Sequence, residues 1–268
     1  MSSLQPSSFT YSLPEFARNG SQLRSNRSGW GIAYSKDKDV MVVKEAKPAD
    51  DSPWVRFIAE QEIESKYVIA HVRYATRGGD TLENTHPFRR IILNQVHVFA
   101  HNGTLKGIED FVGAQSLSYQ PVGETDSELA FCLLLDRVRT MWQRDEAPPS
   151  LKARMEVFLK FSGEMAKLGS ANFLYFDGDC LFAHAHKRIY EQGGQYTEAR
   201  APGLQIKNCR LCAAQPEYEC QGLKIDFRDQ QTILVASVPL DDFGWEPLPG
   251  GTAIAIQRGK EMLRESTL

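Results

Sequence analysis

A basic surplus is missing. Lys and Arg number 31 against 34 Asp and Glu, a net charge of −3, and a surface without excess cation has little to offer a phosphate backbone. Nucleic acid is therefore not an expected partner. Long apolar runs are missing too: none approaches the ~20 residues that a membrane helix needs, so no membrane contact is expected. The opening Met1-Ser2-Ser3-Leu4-Gln5-Pro6 has neither the basic nor the apolar region of a secretory signal, which makes the cytoplasm the expected location. Cysteine is scarce, with five in an odd, irregularly spaced set that does not make a disulfide framework. The one locally basic stretch, Arg18 to Arg27, is broken by Gly20 and polar residues and reads as a solvated loop.

What is present is patterned. Residues 1 to 28 show little periodicity. Gly29-Trp30-Gly31 then opens a strand over Ile32 to Tyr34, which turns over Lys36 to Asp39 and returns as Val40 to Val43. Trp54 to Ile63 predicts a short, mostly buried helix. Two short apolar runs, Tyr67 to Tyr74 and Val96 to Ala100, predict buried strands. Polar residues crowd their ends: Arg73, Thr76 and Arg77 at the first, His101, Asn102 and Gly103 at the second. Strand ends of this kind are where sites are built, although Asn-Gly alone also makes a hairpin turn.

Thr125-Asp126-Ser127-Glu128 predicts a capping box, with Thr125 as N-cap and Glu128 reaching back to its amide. The helix behind it has Leu129, Cys132, Leu133, Leu135 and Val138 to bury. Ser150 caps a second helix that stops at Gly169. Strands return over Phe173 to Phe176 and Leu181 to Ala185, around an Asp177-Gly178-Asp179 turn. Residues 189 to 222 read as long loops, where specificity is expected to reside. Thr232 to Val238 and Thr252 to Ile256 are the last strands. Strands, two helices, then strands imply one α+β domain over residues 1–268.

Five segments together carry a resemblance: Gly29-Trp30-Gly31, Ala70-His71-Val72-Arg73-Tyr74-Ala75-Thr76-Arg77-Gly78, Asn84-Thr85-His86-Pro87-Phe88, Ala100-His101-Asn102-Gly103 and Gly123-Glu124-Thr125-Asp126-Ser127-Glu128. In this order and spacing the chain resembles the free-standing class II glutamine amidotransferases. The resemblance implies a four-layer αββα sandwich of the N-terminal-nucleophile hydrolase type and cleavage of a γ-glutamyl amide, with no cofactor. It implies Arg73 for the substrate carboxylate, with a guanidinium fork that lysine does not reproduce, Thr76 for a further contact to the substrate, and Asp126 for the ammonium. It implies Asn102 and Gly103 as the oxyanion hole. Read alone, Asp126 would serve the helix dipole instead. In the family an α-amine acts as the base, so His71, His86 and His101 are expected to be structural. An ammonia-accepting synthase partner is a further implication.

Two points stay open. Cys209, Cys212 and Cys220, with His184 and His186, make an incomplete ligand pattern, and no metal site is expected. The family opens Met-Cys-x-Leu-Leu-Gly-Met, whereas Ser2 stands second here and no cysteine precedes Cys132. Aligning Met1 with the methionine that ends that strand reaches Pro6 without a gap, so the expectation is a chain that starts one strand late. A non-catalytic γ-glutamyl-binding or regulatory subunit, or Ser2 acting as nucleophile, are the alternatives; Pro6 fits poorly in the apolar strand that the last one needs.

Overall fold

A computed structural model describes residues 1–11, 28–49, 52–61, 63–113, 116–142, 147–192, 195–209, 217–220, 223–226, 231–240 and 242–267. The chain opens with β1 (Ser2–Tyr11), β2 (Trp30–Lys36), β3 (Asp39–Glu45), helix α1 (Pro53–Glu60) and β4 (Glu64–Val72). There follow β5 (Phe88–Ile92), β6 (Gln95–Asn102), α2 (Ile108–Val112), α3 (Asp126–Val138), α4 (Leu151–Ala166), β7 (Asn172–Phe176) and β8 (Leu181–His184). A hairpin of β9 (Glu191–Gln192) and β10 (Gln195–Tyr196) leads to β11 (Gln205–Asn208), β12 (Glu217–Cys220), β13 (Leu223–Asp226) and β14 (Thr232–Ala236). β15 (Trp245–Pro247), β16 (Thr252–Gln257) and β17 (Lys260–Ser266) complete it.

The strands form two large sheets. The first runs β15-β11-β14-β1-β4-β2-β3, with β13 on the far end of β1 and β12 beside it; the second runs β17-β16-β8-β7-β6-β5. Strand alternation then assigns every side chain to a layer. Tyr67 and Ile69 of β4 and Ile233 and Val235 of β14 meet Val98, Ala100, Ile254 and Ile256 of the second sheet in a core between the sheets. Their neighbours Val68, Val72 and Leu234 turn outward to Val55 and Ile58 of α1. On the opposite outer face, Phe99, Phe173, Tyr175 and Phe182 pack under Phe131, Phe158 and Phe161 of α3 and α4. Each buried ring is worth roughly 1.5–3 kcal/mol, and this core is the densest of the three in aromatics. The result is the expected αββα sandwich.

Local departures have local causes. β1 was hidden in the aperiodic opening because its ladder partners are remote and Pro6 interrupts it. The register on β4 shifts between Ser2 and Ser7, and exposed Pro6 falls in that shift, where a missing N–H costs little. In α1 Val55 and Ile58 are buried, and Trp54 and Phe57 are exposed. That helix is less buried than predicted. Residues 189 to 222 contain β9 to β12 as well as loops, and β5 and β17 escaped notice. β17 is a charged edge strand whose exposed side chains guard the sheet rim. Thr125 Oγ1 accepts the Glu128 N–H at 3.1 Å as predicted, but Glu128 Oε2 accepts from Gly123 N–H at 2.7 Å, and its carboxylate also meets Arg90. Arg18 to Arg27 and Cys212 lie outside the described residues, and of Cys220 only the backbone is described.

Candidate active site

The ends of β4 and β6 and the start of α3 converge on one cavity of about 820 Å³, whose lining includes Arg73, Thr76, Asn102, Gly103 and Asp126. The first sheet supplies Arg73, one residue past β4. Its guanidinium is turned into the following loop: Nη1 donates to Ser28 O (3.1 Å) and Gly79 O (3.0 Å), and Nη2 to Arg77 O (2.8 Å) and Gly78 O (3.2 Å). The one carboxylate it meets among the described residues is Asp80, at 3.3 Å, whose side chain is 55% exposed against 4% for Arg73. Carbonyl dipoles therefore solvate most of a buried cation whose one counter-ion among the described residues lies at the surface. Thr76 is exposed on the same loop and its hydroxyl reaches Thr104 Oγ1 at 3.4 Å, tying the two strand-end loops together.

The second sheet supplies Asn102 and Gly103. Asn102 has an exposed side chain, while its backbone O accepts from Asn172 Nδ2 at 2.9 Å. The same Asn172 amide donates to Lys187 O and accepts from His186 N–H, both at 2.8 Å. Sequence reasoning passed over Asn172 because a lone polar residue opening a strand carries no signal. Gly103 has a reason to be glycine: its φ is +155°, and a Cβ there would lie 1.9 Å from Ser170 O. Gly31 is similarly constrained, since a Cβ would meet His86 O at 2.2 Å.

Asp126 is both a helix-start residue and a cavity wall. Its Oδ2 accepts from Leu105 N–H at 2.6 Å and its Oδ1 from Ser127 N–H at 2.8 Å. These bonds fix the carboxylate beside the residues following Gly103. Next to it, His101 bonds Ser127 Oγ (2.9 Å) and Ser170 O (2.8 Å), and His71 Nε2 bonds His101 O (3.1 Å). His86 lies 4.2 Å from the His71 ring and 4.5 Å from Phe88. Burial pulls His71 down to about 4 and His86 well below the ordinary histidine value, so these rings stay neutral at pH 7. Neutral and packed, His71 and His86 line the cavity.

The three cysteines whose side chains are described lie elsewhere. Cys132 and Cys180 are buried in the helix-side core and Cys209 in the core under α1. Burial pushes the Cys132 thiol up to about 11 and that of Cys180 higher still. His184 and His186 bond the carbonyls of Ala171 and Gly169. Among the described residues no group of three or more His, Cys, Asp or Glu converges as a metal site, and no helix is long and apolar enough to cross a membrane.

A family model for class II glutamine amidotransferases matches residues 1–267. The YafJ protein of Escherichia coli K12 is 32% identical over 190 residues, covering 71% of this chain and 72% of that protein. A Haemophilus influenzae relative is 33% identical over 197 residues, covering 74% of this chain but 63% of its own length. A Pseudomonas aeruginosa PA01 crystal structure, described as that of a predicted glutamine amidotransferase, superposes with a TM-score of 0.66 at 27% identity, covering 98% of this chain and 95% of that one. The PRPP amidotransferase of Bacillus subtilis shares the fold at a TM-score of 0.55 and 16% identity, with this chain spanning 49% of its length and 99% of its own.

Proposed function

The chain belongs to the class II glutamine amidotransferases, and on that premise we propose that its cavity binds a γ-glutamyl amide for glutaminase-type hydrolysis. The observation that carries this is the convergence of Arg73, Thr76, Asn102, Gly103 and Asp126, from three separate elements, on one cavity. An α-amino acid end carries one anion and one cation. Asp126 takes the ammonium at the inner wall, and Arg73 takes the carboxylate in place of Asp80, the exposed carboxylate that now touches it. The amide carbonyl then points to Asn102 and Gly103, where a side-chain amide and a backbone N–H donate to the developing oxyanion.

The bond-making group is an N-terminal cysteine thiol in the family's scheme, with its own α-amine taking the proton. Sulfur bonds to the amide carbon, the C–N bond breaks, and ammonia or an amine leaves with that proton. Water then cleaves the thioester to release glutamate. Ammonia passes either to solvent or to a synthase partner. A second reading, a γ-glutamyl-binding or regulatory subunit, draws on the placement of Cys132, Cys180 and Cys209 in the cores rather than on the cavity.

The deciding experiment adds the sequence Cys-Ala-Leu-Leu-Gly ahead of Met1, freed at its cysteine, and assays glutamate release from L-glutamine and γ-glutamyl amides. Release that disappears when the cysteine becomes alanine, and falls at least about a hundredfold in Asn102→Ala, is the expected result. No release from any γ-glutamyl amide would overturn the hydrolase reading.

A further inference from the structure

The charges lining the cavity do not balance for a simple amide. Among the described lining side chains five are cations, Arg73, Arg77, Lys106, Lys187 and Arg188, and one is a carboxylate, Asp126, in a chain whose net charge is −3. Arg77 is paired with Glu109. Arg73 and Asp126 are matched to the carboxylate and the ammonium of a γ-glutamyl group. Lys106, Lys187 and Arg188 meet no carboxylate among the described residues. The uncharged amide nitrogen of glutamine offers these three nothing.

Two of the three stand beside the oxyanion residues. β6, β7 and β8 are neighbours in the second sheet. Asn102 closes β6 opposite Asn172, which opens β7, and Phe173 opposes His184 at the end of β8. The chain leaving β8 therefore runs along the same rim as Asn102. One amide nitrogen joins them: Asn172 Nδ2 donates to Asn102 O at 2.9 Å and to Lys187 O at 2.8 Å. Lys106 is exposed and has no such tie. Arg188 is fixed in place without being neutralised. Its backbone pairs with that of Arg200, N–H to O at 3.0 Å in one direction and 2.9 Å in the other, and its guanidinium lies over the Tyr190 ring at 4.0 Å. The Tyr190 hydroxyl is itself anchored on Pro202 O. Stacking uses a face of the guanidinium and leaves its in-plane N–H donors unspent. Arg188 Nε is buried with no hydrogen-bond partner among the described residues, a donor whose desolvation is recovered only when an acceptor arrives.

We propose that the amide taken by this cavity is a γ-glutamyl amino acid, whose second carboxylate is received by Lys187 and Arg188. An amino acid in the departing position carries its carboxylate on the carbon bonded to the departing nitrogen. With the scissile carbonyl at Asn102 and Gly103, that anion arrives on the rim where the chain leaves β8. The Arg188 fork meets it in the guanidinium plane while Tyr190 holds the face, and Lys187 adds a second charge. The ligand then brings two carboxylates and one ammonium to a cavity whose unmatched charges are cations. The proposal rests on the γ-glutamyl reading of Arg73 and Asp126. The choice of an anionic amine over a neutral one rests on the charges beside Asn172.

The test measures binding rather than turnover, on the chain as it stands. Calorimetric titration compares γ-glutamylglycine with γ-glutamylglycinamide, ligands that match in size and differ by one charge. The acid is expected to bind roughly tenfold or more tightly than the amide, about the worth of one charge-assisted contact. Lys187→Gln and Arg188→Gln should each cut that ratio by about threefold or more. Lys106→Gln makes the same change of charge away from the Asn172 rim and should leave the ratio as it is. Equal affinities for acid and amide in the parent chain would overturn the proposal and leave the γ-glutamyl reading in place. So would a ratio that survives in both Lys187→Gln and Arg188→Gln, or one that falls as far in Lys106→Gln. Binding of neither ligand would remove the γ-glutamyl reading and this proposal with it.

Discussion

Two buried arginines solve the same problem in different ways. Arg154, on α4, is 6% exposed and meets charge with charge: Nη1 donates to Asp177 Oδ2 at 2.8 Å and Nη2 to Asp179 Oδ2 at 2.9 Å. Burial works against its cation, but Asp177 and Asp179 outweigh it and hold the group above its ordinary value. Arg73 is 3% exposed and is met by backbone carbonyls, with a single surface carboxylate beside it among the described residues. Burial lowers it, and Asp80 only partly compensates. A neutralised cation is a structural element. A cation held by dipoles, at the wall of a cavity, keeps its attraction for an anion.

The largest effect should come from breaking the closed pair. Asp177 is fully enclosed, and burial already raises its carboxyl above the usual range. Arg154→Met would leave it without a cation, and removing one partner of a buried pair costs roughly 3–5 kcal/mol. Urea unfolding of the variant should show a midpoint lowered accordingly, with the slope unchanged. The double variant Arg154→Met with Asp177→Leu should recover much of the loss. A single variant that unfolds like the parent would mean that the pair carries no net weight.

Neither arginine's role could be read from residue order alone. Asp177-Gly178-Asp179 is legible as a turn, and it is one, but its partner lies 23 residues earlier on a helix face that nothing local marks. Arg73 is legible as a cation at a strand end. The direction of its fork is not, because that depends on the carbonyls of Arg77, Gly78 and Gly79 folding back over it. The layers were legible because strand alternation and helix caps are local signals. β1 was not, since Ser3 and Ser7 spend their hydroxyls on nearby carbonyls such as Gln5 O and the strand's order comes from β4 and β14. That residue 103 must be glycine was not legible either, because it depends on Ser170 O standing where a Cβ there would be.

Arg73→Lys sharpens the contrast with a smaller effect. Lysine keeps the charge and loses the fork, so the Arg77–Gly79 loop loses donors while the electrostatics persist. On the extended, cysteine-bearing chain, KM for L-glutamine should rise about 10- to 100-fold, or ~1.4–2.7 kcal/mol, with kcat changed less. Asp80→Asn is the complement: it removes the carboxylate that competes with the substrate and should lower KM. If Asp80→Asn raises KM as much as Arg73→Lys does, Arg73 acts only through its loop and not on the carboxylate.

The smallest effect separates the two regions by pH. Around Arg73 the histidines are kept neutral, chiefly by burial, with the Arg73 charge adding to the effect at both His71 and His86. Their folded pKa values lie below the ordinary 6.5, so the unfolded chain binds protons that the folded chain refuses. The stability they contribute is therefore complete above about pH 6.5 and is lost as pH falls from there toward 4, the value for His71. Within that window each such histidine costs about 1.4 kcal/mol per pH unit. His86→Phe keeps a ring between His71 and Phe88 and removes one titrating site. Urea midpoints measured at pH 7 and pH 5.5 should differ less in this variant than in the parent, by about one histidine's share. Identical pH dependence would show that His86 titrates in the fold as it does in the unfolded chain, and that burial does not hold it neutral.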